Sequence, residues 1–80
     1  MLESKFHNFI YEKLWRRTSP SFVSNTRVIN LVVVREVFRV QGIPKSCYRT
    51  FLKELISMGL IRRCGKCRVE LLKEVEGGIL

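Results

Sequence analysis

The stretch VVREVFRVQGIPKSCYRTFLKELISMGLIRRCGKCRVELL, Val33 to Leu72, constrains this chain more than any other. Apolar residues recur at helical spacing up to Val40, and Gly42-Ile43-Pro44 then breaks the pattern. Glycine takes up the left-handed conformation after a last helical turn, and proline suits the first turn of the next helix. That second helix is expected over residues 44–58. Tyr48, Phe51, Leu52, Leu55 and Met58 share its apolar face, and Ser46, Arg49, Thr50, Lys53 and Ser57 lie opposite. Gly59 ends it. Leu60–Cys64 and Cys67–Leu72 then read as two strands joined by a Gly65-Lys66 turn.

With a two-residue turn, Arg63 lies opposite Arg68, Arg62 opposite Val69 and Leu60 opposite Leu71. Like charges directly opposite on a hairpin are destabilising, so two facing arginines suggest contact with phosphate. Leu60, Cys64, Cys67, Val69 and Leu71 would face inward. Ile61 falls on the arginine side in this register, and the split between inside and outside is imperfect.

Upstream, residues 3–17 read as a helix with Leu2, Phe6, Phe9, Ile10 and Leu14 at helical spacing. Arg16 and Arg17 would sit in its last turn, where the helix dipole favours cations. Thr18-Ser19-Pro20-Ser21 is a loop by composition. Residues 22–33 pull two ways. RVINLVVV is rich in β-branched residues and favours a strand, while Asn25 and Thr26 offer caps for a helix running on to Gln41. The expectation adopted is an extended piece near 30–33 and a helix from about 34 to 41. Residues 1–73 then form one domain, and 74–80, with Gly77-Gly78, form a frayed tail.

The formal charge is +8 on 80 residues, from fifteen basic and seven acidic side chains. Nine of the basic residues are Arg, which suits bidentate phosphate and guanine contacts. A charge of this size calls for a polyanion, with nucleic acid first among candidates. The longest strongly apolar run, Leu31–Val34, is far too short to span a bilayer, and no secretory signal is visible. The expectation is a cytoplasmic protein without a membrane partner.

The order of helix, tight turn, helix and basic hairpin resembles winged helix-turn-helix transcription regulators, especially small archaeal ones and the short DNA-binding proteins of archaeal viruses. The residues that carry the resemblance are Glu36, Gly42-Ile43, Tyr48, Leu52, Leu55 and Gly59-Leu60-Ile61. It covers half the chain. It implies an α+β fold of about three helices with a C-terminal hairpin wing. It also implies that Ser46, Cys47, Arg49, Thr50 and Lys53 stand where such proteins face DNA, and that copies pair through helices outside the motif. Two departures stand out: Pro44 replaces a capping Ser or Thr, and Tyr48 is bulkier than the small aliphatic residue common there.

The expected DNA-binding set is therefore Lys45, Ser46, Arg49, Thr50, Lys53, Arg62, Arg63, Lys66 and Arg68. The helix around residues 44–58 would enter the major groove, and the wing around 60–72 would meet the phosphate backbone. Cys64-Gly-Lys-Cys67 has the spacing of half a zinc site, but only Cys47 and His7 remain as further ligands. A disulfide between Cys64 and Cys67 and a pair of free thiols both stay open. His7 lies off the expected apolar stripe and reads as an ordinary, partly exposed residue. With no Asp, one His and no paired carboxylates, catalysis has no support, and no cofactor or small-molecule substrate is indicated. Two functions follow: a sequence-specific regulator of double-stranded DNA, acting as a homodimer, or a winged-helix module for protein contacts within a nucleoprotein complex.

Overall fold

Tight capping and a one-residue choice of register shape this chain. The computed structural model describes residues 5–18, 26–73 and 75. Helix α1 spans Lys5–Trp15, strand β1 Arg27–Asn30 and helix α2 Leu31–Val40. A 3₁₀ turn at Lys45–Cys47 leads into α3, Tyr48–Ser57, and strands β2, Ile61–Arg63, and β3, Arg68–Leu71, close the chain. The result is a small α+β fold: three helices and a three-stranded antiparallel sheet of order β1-β3-β2.

The β-branched run RVINLVVV divides at Asn30, three residues earlier than expected. Arg27–Asn30 pair with Leu71–Arg68, and α2 starts immediately at Leu31. The Asn30 side chain accepts the Val32 N–H at 2.8 Å and caps the helix. The Leu31 N–H donates to the Cys67 carbonyl, also at 2.8 Å. Two of the four N–H groups that a helix start leaves without partners are thereby satisfied, one of them by the hairpin. The alternative cap at Asn25 lies outside the described residues. The second motif helix is also shorter than expected. Pro44 is extended (φ −62°, ψ 145°), and a 3₁₀ turn precedes α3.

The hairpin adopts a register one residue away from the expected one. Ile61 pairs with Leu71, Arg62 with Glu70 and Arg63 with Val69. The turn takes three residues, Gly65-Lys66-Cys67, with Gly65 in the left-handed region at φ 83°. Burial explains the shift. In the expected register Ile61 faces outward, whereas here Ile61, Val69 and Leu71 are all buried. Arg62 gains an ion pair with Glu70, and no arginine faces another.

The core is drawn from all three helices and all three strands. It includes Ile10, Tyr11 and Leu14 of α1, Ile29, Leu31, Val34, Val37 and Phe38, then Phe51 and Leu55 of α3 and Ile61, Val69 and Leu71 of the sheet. Phe38 sits at its aromatic centre, edge-on to Tyr48 at 5.5 Å and to Phe51 at 5.2 Å. Met58, expected on the buried face of α3, is exposed.

Helix α1 is rotated from its expected orientation. Its buried row is His7, Ile10, Tyr11 and Leu14, while Phe6 and Phe9 are 45% and 44% exposed. Leu2 lies outside the described residues. His7 is buried against Phe51, its ring stacked at 4.4 Å, with Nε2 2.7 Å from Glu54 Oε1. Trp15 carries the Arg27 guanidinium over its ring at 4.1 Å, and Arg27 also donates to the Thr18 carbonyl. Arg16 and Arg17 lie in the turn beyond the helix, and Lys13 is the cation of the last turn. At the other end Val75 is half-buried against the core, which carries contacts into the expected tail; the rest of 74–80 lies outside the described residues.

The Tyr11 hydroxyl donates to the Lys73 carbonyl at 2.6 Å and accepts the Lys73 N–H at 3.0 Å. Burial pushes its pKa up from 10.0 to about 12, against the lowering effects of the Lys73 hydrogen bond and of Arg27. Between those values the unfolded chain has lost this proton while the folded chain keeps it. Stability from this group is therefore complete below about pH 10 and falls as pH rises towards 12. Denaturant midpoints measured at about pH 9 and pH 11 should show a smaller drop for Tyr11→Phe than for the native chain.

Candidate nucleic-acid interface

The first turn of α3, one side of α2 and the tip of the hairpin enclose a cleft of about 960 Å³. Arg35 comes from α2, Lys45 and Ser46 from the 3₁₀ turn, Arg49 and Thr50 from α3, and Arg63 and Lys66 from the hairpin. Five cations thus meet in one concavity, and no acidic side chain lines it among the described residues.

Local folding explains why these side chains converge. Ile43 is buried and anchors the chain between the two helices, while Gly42 turns it at φ 85°. The 3₁₀ turn then presents Lys45 and Ser46, and the next turn of helix presents Arg49 and Thr50 four residues on. On α2, Leu31, Val34 and Phe38 are buried and form the deep wall, so Arg35 stands at its edge. Arg63 follows Ile61 by two residues along β2 and shares its face. Along β2 only Ile61 is buried, and Arg63 reaches the cleft instead; its Nη2 lies 3.5 Å from the Lys66 carbonyl. The bond from Leu31 to Cys67 holds the hairpin tip against the start of α2.

Of the nine expected DNA-binding residues, Lys45, Ser46, Arg49, Thr50, Arg63 and Lys66 line this cleft. Lys53, Arg62 and Arg68 do not. Lys53 is exposed one turn beyond Arg49. Arg62 and Arg68 alternate with inward residues and occupy the outer face of the sheet, Arg62 in its ion pair with Glu70 and Arg68 across from Asn30. Sequence reasoning missed Arg35. A signal was present: Glu36 pairs with Arg39 at 3.8 Å three residues on, leaving Arg35 as the cation of α2 without a carboxylate beside it.

The disulfide, one of the two states left open for this pair, rested on Cys64 lying opposite Cys67. In the register adopted, the Cys64 N–H donates to the Arg68 carbonyl at 2.9 Å, and Cys67 belongs to the turn. Both are free thiols, Cys64 half-buried and Cys67 exposed, as is Cys47. Among the described residues, no group of three or more His, Cys, Asp or Glu side chains is placed to hold a metal ion. Likewise no helix there is long and apolar enough to cross a membrane. No family model, no curated protein and no solved structure matches this chain.

Chemically, the cleft is suited to a polyanion. Five like charges on four segments repel one another, and a bound anion relieves that repulsion as well as making its own contacts. Ser46 and Thr50 add short neutral donors beside the cations, the mix commonly found at phosphate and sugar contacts.

Proposed function

We propose that this chain is a double-stranded DNA-binding protein of the winged-helix kind, serving as a transcription regulator. In this reading α3 is the recognition element at the major groove, a groove about 12 Å wide that admits a helix. The hairpin is the wing, with Arg63 and Lys66 on the phosphate backbone. The observation that carries the reading is the convergence of five cations, unopposed by any acid among the described residues, from segments as far apart in sequence as Arg35 and Lys66. A solvated helix face explains Arg49 and Lys53 but not a matching cationic wall on the hairpin. The proposal includes pairing of two copies, for which Phe6 and Phe9, neither of which lines the cleft, offer exposed aromatic surface on α1.

Fluorescence anisotropy with a short labelled duplex tests this directly. Five phosphate contacts give a log–log salt slope of about −4.5, and affinity falls several hundredfold, roughly, between 50 and 200 mM salt. A slope near zero, or no binding at low salt, would refute the reading.

A further inference from the structure

Contact with duplex phosphates needs cations, but it needs neither a concavity nor apolar side chains within it. This half-open cleft has both. Tyr48 and Leu52 are half-buried side chains that line it together with the cations. Phe38 meets the Tyr48 ring edge-on and holds it in place. The volume of about 960 Å³ is at the upper end of the range that encloses drug-sized ligands, far more than a phosphate requires. A cationic groove over an aromatic ring is the combination that binds single-stranded nucleic acid, because every base offers a π-face.

We propose that the cleft takes an unpaired nucleotide, its base against Tyr48 and Leu52 and its phosphates between Arg49 on one wall and Arg63 on the other. The inference rests on the nucleic-acid reading and sharpens its ligand. A base inside a duplex is stacked on both faces and cannot reach Tyr48 without being flipped out, which costs unpairing and unstacking. A base in a single-stranded tail incurs no unpairing cost. The preferred ligand is therefore a duplex that ends in, or opens to, a short unpaired segment. Of the two rings that line the cleft Phe38 is buried, so Tyr48 alone is left to take one stacked base. The hairpin tip is already tied to α2 through Leu31 and Cys67, so the walls need little ordering when the ligand arrives.

The test compares a blunt duplex with the same duplex carrying a short unpaired tail, at equal ionic strength. One stacked base contributes roughly five- to 150-fold in affinity, so the tailed duplex should bind on the order of tenfold more tightly. A third ligand carries a tail of abasic sites, with the phosphates present and the bases absent. Its advantage over the blunt duplex should be small. Tyr48→Phe keeps a ring and should preserve the preference for the natural tail. Tyr48→Leu keeps apolar packing against Phe38 and should bring the ratio close to one. The proposal is overturned if the native protein binds tailed and blunt duplexes equally, if the abasic tail works as well as the natural one, or if Tyr48→Leu retains the preference. Absence of salt-dependent binding to all three ligands overturns the nucleic-acid reading as well, so the two failures are distinguishable.

Discussion

Replacing Arg49 and Arg63 together by Ala should weaken DNA binding on the order of a hundredfold at low salt and lower the salt slope by nearly two. Each contact from a cation to phosphate contributes about 0.9 to the slope, and a charge-assisted bond contributes roughly 1.5–3 kcal/mol when made. The informative control is one residue away. Arg62 is held by Glu70 on the outer face of the sheet, so Arg62→Ala should leave both affinity and slope nearly unchanged. Binding isotherms at four or five salt concentrations separate the variants. If Arg62→Ala costs as much as Arg63→Ala, the cleft is not where DNA sits. A charge count alone predicts equal losses for the two arginines; only the hairpin register distinguishes them.

Phe38→Ala should have the largest effect on the fold itself. The ring is fully buried and contacts the rings of Tyr48 and Phe51. Truncating a buried Phe costs about 3–5 kcal/mol. A domain of 80 residues has roughly 4–12 kcal/mol in all, so this one change removes a large part of it. Far-ultraviolet circular dichroism during thermal and urea unfolding measures the loss. A loss below about 1 kcal/mol would mean that the cluster of Phe38, Tyr48 and Phe51 does not hold α2 to α3. Because Tyr48 rests on Phe38, surviving folded protein should also lose the tail preference, which couples the core to the cleft.

The shape of the site was partly legible before any coordinates. Gly42, Ile43 and Gly59 mark turns because only certain backbone conformations follow a helix end, and those signals are local. The apolar row through Tyr48, Phe51, Leu52 and Leu55 is likewise local, since helical spacing alone puts those residues on one side. Ser46, Arg49, Thr50, Lys53 and Ser57 follow from it as the opposite side, and the first three line the cleft. The winged-helix resemblance drew on the same local signals. They support a small α+β fold with three helices and a hairpin, and the three-stranded sheet adds β1 to that picture.

The sequence by itself determined the helix–turn–helix–hairpin order, the basic character of the face beyond α3 and the C-terminal ends of α2 and α3, because spacing and glycine act within a few residues. Tertiary structure alone decided which of two overlapping apolar rows on α1 turned inward. His7 and Tyr11 are buried because Phe51 and Glu54 receive one and the Lys73 backbone receives the other. It also decided where RVINLVVV stops being strand, since β1 exists only by pairing with β3 and α2 only with its first N–H groups satisfied by Asn30 and Cys67. Finally it chose between Arg62 and Arg63. Side chains alternate along a strand, so a slip of one residue exchanges inside for outside, and the burial of Ile61 against the core sets which arginine faces the cleft.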